Sequence, residues 1–239
     1  MGQLLTRFYQ RQNARALMEL APARNAGEQP PLPELDRTTL LQALTIVGNY
    51  IQQKNRQVTV IAVGGAVNTI FLQSRPSTHD VDFYNNSLSV ADLRLVAEGA
   101  RYAAQRIPQL NEEWFNNHTI FFIPHDLRST LTQDALTQNA VIFHHGGLKL
   151  LAAPWNYAFC TKVHRLSNAG KARPYDLNDA VHYIHRYLQT HRISTVSLAT
   201  VQEWFTTYRI LWNAAVEQII ARVNATYRAQ FHVNYNVIA

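Results

Sequence analysis

The stretch that decides the fold runs from Val63 to Phe83, VGGAVNTIFLQSRPSTHDVDF. Its first residue closes VTVIAV (58–63), a short, largely β-branched and apolar run of the kind that forms a buried strand. Gly64-Gly65 ends that strand, AVNTIFLQ reads as a short helix, and HDVDFY (79–84) reads as the next strand. Alternate residues of a strand share a face, so Asp80 and Asp82 are expected side by side, with Val81 and Phe83 turned to the core. Two carboxylates about 6–7 Å apart along a strand repel each other unless a cation lies between them. Mg²⁺ (or Mn²⁺) carried by a nucleoside triphosphate suits such a pair, because it takes a few carboxylates together with phosphate oxygens and waters. A glycine turn lets backbone approach phosphates closely, and the N–H groups that open the next helix point at anionic oxygens. Asn68, Arg75, Ser77 and Thr78 supply polar side chains around the same place. The competing reading is a plain loop followed by a solvated strand edge.

Outward from this stretch the pattern is a mixed α/β one. Residues 3–20 read as a helix with Arg7, Arg11 and Arg15 at helical spacing, and ARNAGEQPPLPELD (23–36) reads as a linker. Asp36 caps a helix whose apolar positions are Leu40, Leu41, Leu44, Val47, Tyr50 and Ile51. Ser89 opens a helix over 90–106, with Asp92 placed for a capping box. HTIFFI (118–123) reads as a third strand, a helix over about 126–139 follows, and AVIFHHGGLKLLAAP reads as a hairpin turning at Gly146-Gly147. Beyond Pro154 the periodicity is helical: 155–167, 175–189, and two more helices between about 197 and 228. The expected organisation is an N-terminal helix-and-linker segment (1–57), an α/β core (58–153) and a C-terminal helical region (154–239).

Composition bounds the class. With 47% apolar and 16% charged residues in 239, the chain is globular. No apolar run reaches membrane-spanning length, and the N-terminus lacks the apolar block of a signal peptide, so a cytoplasmic protein (cytosolic or nuclear) with no membrane partner is expected. The one cysteine, Cys160, falls in an apolar helical pattern and reads as a buried thiol. The charge of +6 is unevenly spread: residues 1–159 hold 13 Lys/Arg against 12 Asp/Glu, and residues 160–239 hold 9 against 4. A basic C-terminal region suits a polyanionic partner such as RNA, and equally an ordinary solvated helical surface.

Strand, Gly-Gly, helix, then Asp-x-Asp on the next strand resembles the DNA polymerase β-like nucleotidyltransferase superfamily. The spacing and RPSTHDVDF look most like its AbiEii/MenT toxin-type branch, in which an Arg and a Ser/Thr precede the Asp-x-Asp. LLAAPWNYAFCTKVHRLSNAGKARPYDLNDAVHYI resembles that branch's later motif, with its lysine falling on Lys162 and its two acids on Asp176 and Asp179. The two motifs span roughly residues 58–190. The resemblance implies a nucleotidyltransferase-like mixed sheet and transfer of a nucleoside monophosphate from an NTP to an acceptor. Asp80 and Asp82 would hold Mg²⁺, and Lys162 and Asp176 would complete the catalytic set. Gly64, Gly65, Asn68, Arg75, Thr78 and Asp179 would hold the nucleotide. The basic C-terminal helices favour RNA, such as a tRNA 3′ end, as the acceptor, with a small molecule or a protein hydroxyl as the alternatives, and the sequence leaves open whether an antitoxin-like partner exists. Two departures stand out: Ala66 follows the glycines where the family often has Ser, and AVIFHHGGLKLL carries His144 and His145 but no third acid. The alternative implied by those departures is an inactive module of the same fold that binds nucleotide or RNA.

Periodicity bears on Lys162 independently. The stripe Trp155, Phe159, Val163 and Leu166 puts Lys162 on the inward face of its helix, which calls for snorkelling or a buried anionic partner. Asp176 has a helix-cap reading and Asp179 a first-turn reading beside the functional one. A His79-Asp80 phosphohydrolase dyad fits poorly on a strand. His182 and His185, at i and i+3, read as surface or RNA-facing residues, and Trp204, Phe205, Tyr208 and Trp212 as helix packing.

Overall fold

The computed structural model describes residues 33–168 and 170–239, so the expected helix at 3–20 and most of the linker lie outside the described residues. The fold is α+β, a mixed sheet with flanking helices followed by a helical region. The chain divides into two compact units, the first ending at Ala152 and the second running Ala153–Ala239.

The first unit is built on a five-stranded sheet. Its strands are β2 (Val58–Val63), β4 (Val81–Tyr84), β5 (Phe115–Asn116), β6 (Val141–His145) and β7 (Leu148–Ala152), in the order β5-β4-β2-β7-β6. A short ribbon pairs β1 (Leu35–Asp36) with β3 (Ser77–Thr78). Central β2 runs antiparallel to β4 and parallel to β7, which explains its largely apolar sequence: Val58, Val60, Ile61 and Ala62 are all buried. β6 and β7 form the expected hairpin.

Two helices cover the sheet. In α1 (Arg37–Gln53) the Asp36 carboxylate accepts from Thr39 N, which holds that carboxyl below its ordinary pKa, and Leu40, Leu44, Val47 and Ile51 form the buried stripe. In α2 (Val90–Ala104) Ser89 Oγ caps the helix by accepting from Asp92 N, and it donates to the Asp92 carboxylate. The two helices pack together, with the Tyr50 and Tyr102 rings 5.3 Å apart. A third helix, α3 (Arg128–Gln138), follows.

One expected strand is absent. Residues His118–Phe122 form a 3₁₀ turn, and the strand at this place is β5, three residues earlier. Asn116 Oδ1 accepts from His118 N, a local side-chain bond that bends the chain out of the sheet. The apolar run that suggested a strand has no second buried face, because Phe121 is 47% and Phe122 84% exposed.

The second unit is helical: α4 (Trp155–Ser167), α5 (Asp176–His191), α6 (Leu198–Thr207) and α7 (Ala214–Phe231). Ser197 and Asn213 cap α6 and α7 by accepting from Thr200 N and Val216 N. The predicted packing role of the aromatic cluster is seen directly: Trp204 meets Phe159 and Tyr187 edge-on, and Trp212 meets Phe205. Buried Asn224 fastens the last residues onto α7, donating to Ile238 O and accepting from Ile238 N. No described helix is long and apolar enough to cross a membrane.

Candidate functional site

Strand register places the opening motif. In the β2–β4 ladder Val63 stands opposite Asp82, so the carboxylate lies beside the last residue before Gly64-Gly65. Asp80 immediately precedes β4 and Asp82 lies within it, both half-exposed among neighbours whose apolar side chains, Val81 and Phe83, are buried. The strand thus begins two residues later than its sequence suggests, with the alternation as expected.

The glycines have different physical reasons. Gly64 has φ +66°, the left-handed region that glycine enters without strain, and a Cβ there would meet nothing within 4 Å. The space over this residue is therefore open to an approaching group. At Gly65 a Cβ would stand 2.0 Å from Thr78 Oγ1 and 2.8 Å from Thr78 Cβ, with Arg75 Nη1 at 3.6 Å. The turn is packed directly under the Arg-Pro-Ser-Thr segment that the sequence placed near it. Gly65→Ala is expected to cost about 1–3 kcal/mol through this overlap. Adding Thr78→Gly removes both obstacles and should return most of the loss, read as the midpoint of a denaturant titration.

Asn68 is fully buried, and its Nδ2 donates to Gly64 O at 3.2 Å while its Oδ1 accepts from Ser74 Oγ. The side chain shapes the turn from beneath. This explains the irregular helix that follows: Val67–Leu72 is a π-helix, and Gln73 N and Ser74 N both donate to Asn68 O. Arg37 Nε caps the segment at Ile70 O. Ser74 and Arg37 were not singled out from sequence, since a single polar residue in a loop or a helix start carries no signal by itself.

The strand beyond β4 is β5, which puts Asn116 in register beside Asp82. That neighbour is an amide whose two ends are engaged with Glu113 O and His118 N. His144 and His145, on β6, lie three strands away across the sheet, and His145 Nε2 bonds Asn49. His79 is exposed, with Nδ1 3.2 Å from Pro33 O. Among the described residues no group of three or more His, Cys, Asp or Glu is placed to hold a metal ion.

In the second unit the later motif closes on itself. Lys162 Nζ lies 2.8 Å from Asp176 Oδ1 and 2.8 Å from Asp179 Oδ2, with the lysine side chain 6% and both carboxylates 0% exposed. Arg165 Nη1 adds a contact to Asp176 at 3.6 Å, and Arg173 N donates to Asp176 Oδ2. The Asp176 carboxylate therefore reaches back to the preceding turn and does not cap its own helix. The inward lysine has its anionic partner inside this unit. Arg165, three residues along α4 from Lys162, is the member that sequence reading left out. Burial pushes the Cys160 thiol well above its ordinary pKa, which leaves it inert as a nucleophile.

His182 and His185 face α7. The Gln230 amide lies 2.9 Å from His182 Nε2, Tyr227 Oη lies 2.9 Å from His185 Nδ1, and the His185 ring stacks on Phe231 at 4.0 Å. Burial lowers both imidazole pKa values below the ordinary 6.5, with Asp179 partly opposing it at His182 and the charges of His182 and Arg186 adding to it at His185. The folded chain then binds fewer protons than the unfolded one, so their stabilisation is complete above pH 6.5 and is lost as pH falls below it. The melting temperature should drop on going from about pH 7.5 to about pH 5.5, and His182→Gln/His185→Gln should flatten that drop.

The fold and site together define an α+β protein with a glycine turn set against an Asp-x-Asp strand. The chain belongs to the domain family of unknown function DUF7582, whose model matches residues 34–234. No curated protein and no solved structure matches it.

Proposed function

We propose that this protein is a nucleotidyltransferase of the DNA polymerase β-like kind, closest to the AbiEii/MenT toxin-type enzymes, acting in the cytoplasm. The observation that supports the reading best is the register of Asp82 against Val63, which sets the Asp-x-Asp beside an open, left-handed Gly64. Two aspartates suit Mg²⁺, a hard cation that takes one or two carboxylates and completes its shell with phosphate oxygens and water. Bound there, the ion would supply charge neutralisation at the transferring phosphoryl group. Asp80 and Asp82 would hold it, one of them also accepting the proton of the acceptor hydroxyl. The backbone at Gly64 and Gly65 would face the phosphates, with Arg75 and Thr78 alongside and Asn68 fixing the turn. Lys162, Asp176 and Asp179 hold α4 to α5, and the resemblance assigns them a further role toward the nucleotide.

The acceptor is a hydroxyl, with RNA favoured by the 9-to-4 excess of basic over acidic residues from Cys160 onward. The test is incubation with Mg²⁺, each labelled NTP and total RNA, protein or small hydroxyl acceptors. Label should pass to one acceptor class with release of pyrophosphate. NTP binding without transfer to any of them would overturn the catalytic reading and leave a nucleotide-binding module, the reading supported by the amide at Asn116 in place of a third acid.

A further inference from the structure

We infer that the first unit carries a binding surface for single-stranded nucleic acid along the seam between α1 and α2, with Arg106 stacked on Tyr102 as the platform for a base.

The seam is closely packed: a Cβ on Gly99 of α2 would stand 3.0 Å from Val47 Cγ1 and 3.5 Å from Tyr50 Cδ1. That approach sets two half-buried rings side by side at the surface, Tyr50 from α1 and Tyr102 from α2, with centroids 5.3 Å apart. A cation lies over each ring. The Arg106 guanidinium carbon stands 3.3 Å from the Tyr102 centroid, a stacking distance, and Arg106 Nη1 also donates to Tyr102 O. Lys54 Nζ stands 5.7 Å from the Tyr50 centroid.

Charge on this face is unbalanced. Helix α1 carries no acidic residue, and α2 carries two, Asp92 and Glu98. Asp92 is paired with Arg56, and Glu98 accepts from Tyr50 Oη. Arg94 and Arg101 flank Glu98 along α2, about one turn to either side. The Arg101 charge reaches the Tyr50 phenol, where it opposes the rise in pKa that burial and Glu98 produce. Lys54, Arg94, Arg101 and Arg106 are all exposed, and none is in an ion pair with a described carboxylate.

Cations interleaved with aromatic rings match a strand in which phosphates alternate with unpaired bases. An acidic peptide would answer the cations and leave the rings unused, and a duplex hides the faces of its bases. A guanidinium already held against Tyr102 loses little freedom when a base stacks on its outer side.

The test is fluorescence anisotropy of the whole chain, without NTP, using labelled oligouridine of about twelve nucleotides, its deoxy counterpart and an abasic strand of the same charge. The base-bearing strands should bind saturably with a Kd of about 10 µM at low salt, at least about fivefold more tightly than the abasic strand. Arg106→Gln alters an exposed residue and Tyr102→Leu keeps apolar bulk at the seam. Each should weaken oligouridine binding at least about fivefold and erase the preference over the abasic strand. Arg94→Gln/Arg101→Gln should weaken all strands alike and reduce the slope of log Kd against log salt by about 1.4. Glu98→Gln, which keeps an acceptor for Tyr50 Oη, should tighten binding at least about twofold. Tighter binding of oligouridine than of its deoxy counterpart identifies RNA as the natural strand, and the reverse identifies DNA. No saturable binding, equal binding of the abasic strand, or unchanged binding by the Arg106→Gln chain overturns the inference. With no NTP present, none of these outcomes depends on nucleotidyl transfer.

Discussion

Replacing Lys162 by methionine is expected to destabilise the protein by about 3–5 kcal/mol, a large share of the roughly 5–15 kcal/mol that holds a domain together. The side chain contributes one ammonium between two carboxylates at 2.8 Å each, all three buried. Taking the ammonium away leaves Asp176 and Asp179 without the cation between them, and half-exposed Arg165, 3.6 Å from Asp176, offsets the loss only in part. The pair can be removed as a unit, since a buried ion pair is close to neutral against uncharged residues of the same shape. Lys162→Met/Asp176→Asn/Asp179→Asn should therefore regain most of the stability, and it keeps an acceptor for Arg173 N. Urea titration of the three chains, at unchanged slope, reads the difference. An unchanged midpoint for Lys162→Met would contradict the triad's role. Transfer measured on the folded fraction of that variant reads separately any part Lys162 has in chemistry.

The second large effect is expected at Asp80 and Asp82. Alanine at either should reduce nucleotide transfer by at least about 10²-fold, because under the proposed function each loss would remove a direct metal ligand, not merely a group that orients one. Both side chains are half-exposed at the start of β4, so the thermal midpoint should move little. Activity lost at constant stability separates this pair from Lys162, where stability itself is expected to fall. Transfer that survives both substitutions would place the chemistry elsewhere.

How much of this was legible in the sequence differs from residue to residue. A 3.6-residue period was enough to turn Lys162 inward, because helix geometry fixes which face a position shares with Trp155, Phe159 and Val163. Its pairing with both acids was not readable, since that depends on a turn between α4 and α5 whose path no periodicity specifies. The Gly-Gly turn was visible as composition, yet only Thr78 packed on Gly65 shows why the second glycine is required. HTIFFI misled because β propensity reports fit to a half-buried pleated surface, and at Phe121 and Phe122 there is none. The true strand, β5, is two residues long and falls below what alternation can signal. Missing it also hid Asn116, the residue in register beside Asp82.

The account's central claim, that the Gly64-Gly65 turn and the Asp-x-Asp form a metal-dependent nucleotide site, has a test that needs no knowledge of the acceptor. It is calorimetric titration of the whole chain with each non-hydrolysable NTP, with and without Mg²⁺, for wild type, Asp82→Asn and Gly64→Val. The account predicts binding of at least one NTP that depends on Mg²⁺, falls at least about tenfold in Asp82→Asn, and is lost in Gly64→Val, where a branched side chain fills the open space over the turn. No binding by wild type, or binding that is indifferent to Mg²⁺ and to both substitutions, would contradict it.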